Sequence, residues 1–359
     1  MVKNWIKIIL VVLIITMSSG RIAVAQRANR AINALAWSPD GGTVIASITV
    51  GDSADLWSID LETFEATNLT NTPTTFENLA AWSPDGQLVA YLALEDAADL
   101  WIMQPDGSEP QNLTVDLDST VLDFQWSLDS TQIIFSVIDT ETAMGSAIWI
   151  LDVEAFQLKQ LIEAEAGSGE KYLLYSNPSL SPDGSQIGFK SDDVISGLSE
   201  FLIADLQENG IADTETVFES DDFIREAHWS PNGEQIVVST AGTESSELFL
   251  VNLGGETSNL TQELGRLNGY PRWSPDGNFI AFTSGPPIVY DSDIYLLELE
   301  TDAITDLTGE GIYRYDQYPA WAPDSQRIMF VSESNEVDSL WIVDITTGKL
   351  TEVPLNQVS

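Results

Sequence analysis

Cysteine is absent from the 359 residues of the chain. Disulfide bonds, thiolate metal sites and cysteine nucleophiles are therefore excluded, because each of them needs a cysteine sulfur. Histidine is almost absent as well, since His228 is the only one. A metal centre built on clustered histidines is excluded for the same reason, and we expect neither a metal nor another cofactor.

Positive charge is also scarce. The chain has 14 Lys and Arg against 56 Asp and Glu, which gives a net charge of −42 at pH 7. Such a surface repels phosphate backbones and anionic lipid head groups. No stretch after residue 25 approaches the length of apolar sequence that spans a bilayer. We therefore expect no nucleic-acid partner and no membrane insertion once the N-terminal segment is removed.

The first 25 residues have the pattern of a secretory signal peptide. Lys3 and Lys7 precede an apolar run over residues 8–17, and Ala23-Val24-Ala25 offers a small-x-small cleavage site. The run is too short to span a membrane. We predict cleavage after Ala25 and a periplasmic or extracellular protein with a net charge near −45. The alternative is an uncleaved N-terminal anchor.

One phrase, Trp-Ser-Pro-Asp-Gly or a close variant, recurs along the rest of the chain. Phrases of the Asp-Leu-Trp and Asn-Leu-Thr types follow most copies, as in residues 55–57 and 68–70. The copies are 44 to 54 residues apart, which indicates seven repeats within residues 33–351. Their first position is filled by Trp37, Trp82, Trp126, Leu180, Trp229, Trp273 and Trp321.

Each repeat predicts four antiparallel strands. Ser-Pro-Asp-Gly forms a tight turn in which Gly takes a positive φ, and apolar alternation on both sides of the turn predicts a hairpin. The second phrase begins a third strand, and the third phrase ends a fourth. Four antiparallel strands per repeat are typical of a propeller blade. We therefore predict an all-β, seven-bladed β-propeller of four-stranded antiparallel blades, with six or eight blades or an open solenoid as alternatives.

The predicted domain order is a signal peptide at 1–25, an N-terminal linker at 26–32, the propeller at 33–351 and a C-terminal tail at 352–359. The ring closes either by packing alone or by an added strand from residues 26–33. Two repeats place Ser130 and Ser325 where the turn has Gly. If the turn is unchanged there, each Ser costs about 1 kcal/mol.

On these three phrases the chain resembles the TolB-like, WD40-like family of β-propellers. It is also similar to the propellers of tricorn and prolyl oligopeptidase-type peptidases. The resemblance covers nearly all of the chain after residue 32 and implies the propeller fold. TolB carries an α/β domain before a six-bladed propeller, whereas here seven repeats begin soon after the cleavage site, so a TolB role is not implied.

The same resemblance raises the question of catalysis. The related peptidases use a Ser-His-Asp triad on an α/β-hydrolase domain, but no Gly-x-Ser-x-Gly elbow occurs in this sequence. No nucleophile is evident beside His228, so we predict a protein that is not an enzyme and that binds a protein or glycan partner. The alternative is a polysaccharide hydrolase or lyase with carboxylates such as Asp123, Glu226 and Asp316 at the channel mouth. The nearest approach to a calcium loop, residues 205–213, lacks the bidentate Glu.

A group of cations and aromatic residues falls in the later repeats, in or near the first strand of each. Arg and Tyr carry much of the energy at binding hot spots, so these residues predict a recognition face for a protein or carbohydrate partner of a monomeric propeller. The alternative is that each cation pairs with a local acid, such as Arg272 with Glu226. The predicted partner-binding residues are Arg225, Arg272, Arg314, Tyr270, Tyr315 and Tyr318.

Overall fold

The computed structural model describes residues 31–359 except 52, 140–144, 164–171, 209, 243–245, 263, 287–290, 310–313, 335–336, 356 and 359. The predicted signal peptide and its cleavage site lie outside the described residues. The described residues form strands and turns and contain no helix, which confirms the all-β prediction. Accordingly, none of them belongs to a helix that could cross a membrane.

The described residues form 29 strands. The first twelve are β1 (Ala31–Trp37), β2 (Thr43–Val50), β3 (Ser53–Asp60), β4 (Ala66–Asn68), β5 (Phe76–Trp82), β6 (Val89–Leu94), β7 (Ala98–Met103), β8 (Gln111–Asn112), β9 (Ser119–Trp126), β10 (Gln132–Asp139), β11 (Ser146–Asp152) and β12 (Gln157–Glu163). The next nine are β13 (Leu173–Leu180), β14 (Gln186–Asp193), β15 (Ser199–Gln207), β16 (Gly210–Ile211), β17 (Glu215–Ser220), β18 (Phe223–Trp229), β19 (Gln235–Ala241), β20 (Leu248–Asn252) and β21 (Thr257–Asn259). The last eight are β22 (Leu267–Trp273), β23 (Phe279–Gly285), β24 (Asp293–Glu298), β25 (Ala303–Asp306), β26 (Tyr315–Trp321), β27 (Arg327–Ser334), β28 (Val337–Asp344) and β29 (Leu350–Val353).

Consecutive strands pair antiparallel in repeating units of four. We number these units 1 to 7: β1–β4, β5–β8, β9–β12, β13–β15 with β17, β18–β21, β22–β25 and β26–β29. Units 1 and 2 share one sheet through a single parallel bridge from Ala54 to Phe76, so the described residues form six sheets. The short β16 extends β15 in unit 4. The prediction of four-stranded antiparallel sheets is confirmed, and the first strand of every unit ends at the predicted Trp or Leu position.

The turn between the first two strands also follows the prediction. In unit 1 the Ser38 hydroxyl donates to Asp40, the amide of Gly41 donates to the Ser38 carbonyl, and Gly41 has a φ of +71°. Ser130 and Ser325 keep the same turn at φ values of +63° and +56°. Each Ser hydroxyl accepts a hydrogen bond from a backbone amide of the preceding unit, which offsets part of the strain.

Neighbouring units are joined by indole hydrogen bonds. Trp126 donates to the Ala81 carbonyl of unit 2, and Trp321 donates to the Arg272 carbonyl of unit 6. Trp37 of unit 1 makes the same kind of bond, at 3.0 Å, to the Ala320 carbonyl of unit 7. The first and last units are therefore in contact through the interaction that joins neighbours along the chain.

The apolar core lies between adjacent units. Units 1 and 7 share one buried cluster that includes Ile32 and Val331. Leu355 and Val358, beyond the last strand, belong to the same cluster, and the Ile32 amide donates to the Asp338 carboxylate at 2.7 Å. Strand β1 therefore begins inside the segment predicted as a linker, and part of the predicted tail packs on the core.

Candidate functional site

One position of the first strand defines the wall of a central cavity. The cavity has a volume of about 830 Å³ and is lined by residues from all seven units. Three residues before the Trp position, every unit contributes one side chain to this wall. These residues are Ala34, Leu79, Asp123, Asn177, Glu226, Tyr270 and Tyr318.

A β-bulge turns these side chains out of the regular strand pattern. In four units the residue adopts the left-handed conformation, at φ values from +48° to +56°, and the pairing register shifts at the same place. The four residues are Leu79, Asn177, Tyr270 and Tyr318. This conformation costs a non-glycine residue about 1–2 kcal/mol, and such strain is concentrated at functional sites.

Glu226, His228 and Arg272 form a cluster on the cavity wall. Glu226 and His228 lie two residues apart on β18, so their side chains share one face of the strand. Arg272 comes from the adjacent first strand, β22. Its Nη1 lies 2.6 Å from Oε2 of Glu226, 2.7 Å from Nε2 of His228 and 2.8 Å from the Pro271 carbonyl oxygen. Nε2 of His228 lies 3.0 Å from the same Oε2.

The position of the His228 proton decides which contact is a hydrogen bond. With the proton on Nε2 the imidazole donates to Glu226, and with the proton on Nδ1 it accepts from Arg272. Burial, followed by the positive charge of Arg272, lowers the pKa of His228. Burial alone would raise the pKa of Glu226, but Arg272 and His228 together lower it to about 2. At neutral pH the cluster therefore holds a neutral imidazole between a carboxylate and a guanidinium.

The side chain of Glu226 reaches His228 and Arg272 because it is one methylene longer than that of Asp. In unit 3 the equivalent residue, Asp123, accepts a hydrogen bond from its cross-strand partner Ser136 at 2.6 Å. In unit 5 the partner of Glu226 is Ser239, whose buried hydroxyl has no hydrogen-bond partner among the described residues. The extra methylene of Glu226 carries its carboxylate past Ser239 to His228, where 34% of the imidazole surface remains exposed.

The cluster does not fit a divalent metal ion. No group of three or more His, Cys, Asp or Glu side chains in the described ranges is arranged to hold one. Between Glu226 and His228, the space that an ion would need is filled by the guanidinium of Arg272. We therefore assign no chemical step to a metal.

The predicted recognition residues divide into two sets. Arg225, Tyr270, Arg272 and Tyr318 line the central cavity, and the two Tyr rings meet edge to face with their centroids 4.9 Å apart. Arg314 and Tyr315 are not among the lining residues. Arg314 instead donates to Ser332, lies over the Trp341 ring and is 3.8 Å from Asp316.

Arg225 and Arg272 differ in how they are paired. Arg272 forms a short ion pair with Glu226, which is the local pairing that the sequence left open as the alternative. Arg225 is partly buried, and no carboxylate among the described residues pairs with it. Its guanidinium lies 5.7 Å from the centroid of the Tyr270 ring. Arg225 is therefore the cavity cation that is available to an anionic ligand.

The other two carboxylates named from the sequence occupy different surroundings. Asp123 lines the cavity, and burial raises its pKa. Asp316 is completely buried, and burial raises its pKa as well. Because Asp316 is not among the residues that line the cavity, only Asp123 and Glu226 can take part in chemistry there.

Comparison with known proteins bears on both fold and function. A family model described as the TolB beta propeller domain matches residues 201–358. The resemblance to TolB-like propellers is confirmed. Over 146 residues, or 37% of its length, this chain is 25% identical to Dipeptidyl-peptidase 5 of Porphyromonas gingivalis. That match spans only 21% of the relative's own length.

Two solved structures share the fold at low sequence identity. Oligogalacturonate lyase from Vibrio parahaemolyticus is 16% identical with a TM-score of 0.65, and the match covers 86% of this chain and 88% of the lyase. A puromycin-hydrolyzing peptidase from Mycobacterium tuberculosis is 15% identical with a TM-score of 0.71, covering 91% of this chain but 54% of the peptidase.

These similarities correct the functional prediction from the sequence. The relative and both structures are enzymes, so the prediction of a non-catalytic binding protein is wrong. It rested on the absence of a Gly-x-Ser-x-Gly elbow, and the sequence alone does not show that Glu226, His228 and Arg272 meet on one wall. A signal was present in the repeat, since His228 and Arg272 both directly precede the Trp position of adjacent repeats.

Proposed function

We propose that this protein is an exported enzyme that cleaves an acidic polysaccharide by elimination in the central cavity of a seven-bladed propeller. The cluster of Glu226, His228 and Arg272 beside Arg225 carries the proposal. The polysaccharide class is one whose sugars bear a carboxylate, that is, a polyuronate.

The seven-bladed ring rests on two features described above. Equivalent residues of all seven units line one cavity, and Trp37 joins units 1 and 7 by the bond that joins other neighbours. Every unit is built from consecutive strands, so the ring closes by packing and hydrogen bonds between side chain and backbone. Export rests on the signal-peptide pattern of residues 1–25.

An anionic substrate is favoured by the isolated charge of Arg225. The chain carries a net charge of −42, whereas Arg225 is a cation on the cavity wall that pairs with no carboxylate among the described residues. A guanidinium binds a carboxylate through two parallel hydrogen bonds. The neighbouring ring of Tyr270 provides an apolar surface on which a sugar ring can lie.

Elimination is favoured over hydrolysis by the ionisation of the cluster. A neutral His228 can accept the proton from the carbon next to the uronate carboxylate. The electron pair of that C–H bond then forms a C=C bond, the glycosidic C–O bond breaks, and the leaving oxygen takes a proton from water. The resulting hydroxide takes the proton from His228, which returns the imidazole to its neutral form. Arg225 would stabilise the charge that develops on the substrate carboxylate.

Hydrolysis is the second candidate, because burial raises the pKa of Asp123. A glycosidase needs one protonated and one ionised carboxyl group, and Glu226, with its pKa of about 2, is ionised at neutral pH. Peptidase chemistry is less favoured, because among the described residues the imidazole of His228 bonds only Glu226 and Arg272. The lyase is also matched over 88% of its own length, against 54% for the peptidase.

The test is to incubate the mature chain with polygalacturonate and with a neutral glucan. Elimination predicts new ultraviolet absorbance from the unsaturated uronate, no cleavage of the neutral polymer, and a loss of at least about 100-fold in activity for His228→Gln. Lys349→Gln, which removes an exposed cation that is not among the residues lining the cavity, is the matched control and retains activity. New reducing ends without absorbance would favour hydrolysis, and turnover of peptides alone would refute the proposal.

A further inference from the structure

A second cavity adjoins the central one between units 3, 4 and 5. It has a volume of about 240 Å³, and we call it the side pocket. Asp123, Asn177 and Arg225 line both cavities, so a ligand in the side pocket lies next to the central cavity. The apolar part of its wall is formed by Leu122, Ile138, Leu174, Val194, Leu198 and Phe223.

The size and lining of the side pocket suit an aromatic ring. A cavity of about 150 Å³ with Leu, Ile and Phe walls stays dry and binds benzene, so about 240 Å³ leaves space for a ring and a short linker. At the rim, Val194 is 46% exposed, and the next residue, Ile195, is 57% exposed. Exposed apolar side chains at a pocket mouth are a feature of sites that bind apolar groups.

Other charged groups in the side pocket are already paired. Lys190 is 3.0 Å from Asp192, donates to the Ile224 carbonyl at 3.1 Å and lies 3.8 Å from the centroid of the Phe223 ring. Its three ammonium hydrogens therefore all have acceptors. Asp123 accepts hydrogen bonds from the Ser136 hydroxyl and the Asn177 amide.

Asp193 is engaged in the same way, since it accepts from the Tyr172 amide and the Ser196 hydroxyl. In the part of the chain that the structure describes, this leaves Arg225 as the charged lining group that makes neither a hydrogen bond nor an ion pair. An apolar pocket with one such cation at its edge is complementary to a ligand that has an apolar body and one negative charge.

We propose that the side pocket is a second binding site, for a small aromatic carboxylate whose ring occupies the pocket and whose carboxylate binds Arg225. This proposal depends on the geometry of the side pocket and not on the proposed function. One consequence rests on the proposed function: because Arg225 also borders the central cavity, the aromatic carboxylate and an oligouronate compete for it.

The test uses phenylacetate as the probe and isothermal titration calorimetry of the mature chain. We expect phenylacetate to bind, and 2-phenylethanol and acetate to bind at least about tenfold more weakly, because one lacks the charge and the other lacks the ring. Arg225→Gln should weaken phenylacetate binding at least about tenfold and leave 2-phenylethanol unchanged. Lys349→Gln controls for the loss of one positive charge.

A second pair of variants tests the pocket itself. Val194→Trp places a large side chain at the rim and should abolish phenylacetate binding, whereas Ile195→Trp, at the next exposed position outside the lining, should not. Equal affinity for acetate and phenylacetate, or normal binding by a folded Val194→Trp variant, would overturn the proposal. Competition between phenylacetate and trigalacturonate tests the shared Arg225. If phenylacetate binds and polygalacturonate is not cleaved, the side pocket stands and the proposed function fails.

Discussion

The side-chain amide of Asn68 donates to the carboxylate of Asp55 at 2.9 Å, and thereby ties the end of β4 to the start of β3. Asn112 and Asp99 repeat this pair in unit 2 at the same distance. In unit 6 the amide position is occupied by Asp306, opposite Asp293. Burial, followed by the charge of Asp306, raises the pKa of Asp293 to about 6.

Replacing Asp306 by Asn should stabilise the protein at neutral pH. The folded pKa of Asp293 lies above its ordinary value of 3.8, so ionised Asp293 destabilises the fold above about pH 6, and this cost disappears as the pH falls towards 3.8. We expect Asp306→Asn to add about 1–2 kcal/mol to the free energy of unfolding at pH 8 and little at pH 4. Urea unfolding at both pH values measures the difference.

Asn68→Asp is the reciprocal variant of this experiment. It places a carboxylate against Asp55 and removes the amide donor, so it should destabilise the protein at pH 8. An equal gain for Asp306→Asn at pH 4 and pH 8 would contradict the role of the repelling carboxylates.

Trp37→Phe should weaken the contact between units 1 and 7. The variant loses the indole hydrogen bond to the Ala320 carbonyl, and an unmade buried hydrogen bond costs about 1–3 kcal/mol. Trp82→Phe makes the same change of ring where the indole nitrogen has no partner in the described structure, so it should cost less. Comparing the thermal unfolding of the two variants distinguishes the loss of the hydrogen bond from the loss of the larger ring. If both variants lose the same stability, the bond of Trp37 does not hold units 1 and 7 together.

Ser130 affects the stability of the fold in two opposing ways. Its φ of +63° is strained, while its hydroxyl accepts from the Asp85 amide at 3.0 Å. Ser130→Ala keeps the strain and loses the bond, so we expect a loss of about 1 kcal/mol. Ser130→Gly removes both and should be nearly neutral. A chemical denaturation series of the two variants is sufficient, and the prediction fails if Gly is the more damaging substitution.

The titration of His228 should respond to Arg272. Because His228 is the only histidine, its ring protons give a single set of NMR signals. Its pKa lies below the ordinary value of 6.5, so the imidazole stays neutral at pH 7 and catalysis should persist below pH 6.5. Arg272→Gln removes a positive charge and should move the midpoint, and the acid limb of kcat/KM, to higher pH. Arg327→Gln, at the start of β27 and outside the cavity lining, should leave the midpoint unchanged.

Much of the fold could be predicted because each repeated phrase has a local physical cause. The positive φ at Gly41 and Ser130 follows from the turn type alone. Strand ends at the Trp positions follow from repeat spacing. The bulges at Leu79 and Tyr270 could not be predicted in this way, because Leu and Tyr disfavour the left-handed conformation that they adopt there.

The candidate site was less predictable because it depends on contacts between repeats. Arg272 and Glu226 are separated by 46 positions, and their pairing requires that units 5 and 6 pack side by side and that β18 changes register at Glu226. Local patterns marked Arg225 and Arg272 as candidate binding residues, and the structure places both on the cavity wall. They could not tell that one is neutralised by Glu226 while the other is left without an acid among the described residues.

The contact between units 1 and 7 has a consequence for circular permutation of the chain. Ile32 and Val358 lie in one buried cluster, and among the described strands none from either unit pairs into the sheet of the other. A circular permutant that links these two ends, and opens new termini in a connection between two other units, would therefore keep every antiparallel strand pair. Such a permutant should fold to the same structure, whereas a propeller that exchanges strands between its first and last blades would lose a strand from its closing blade.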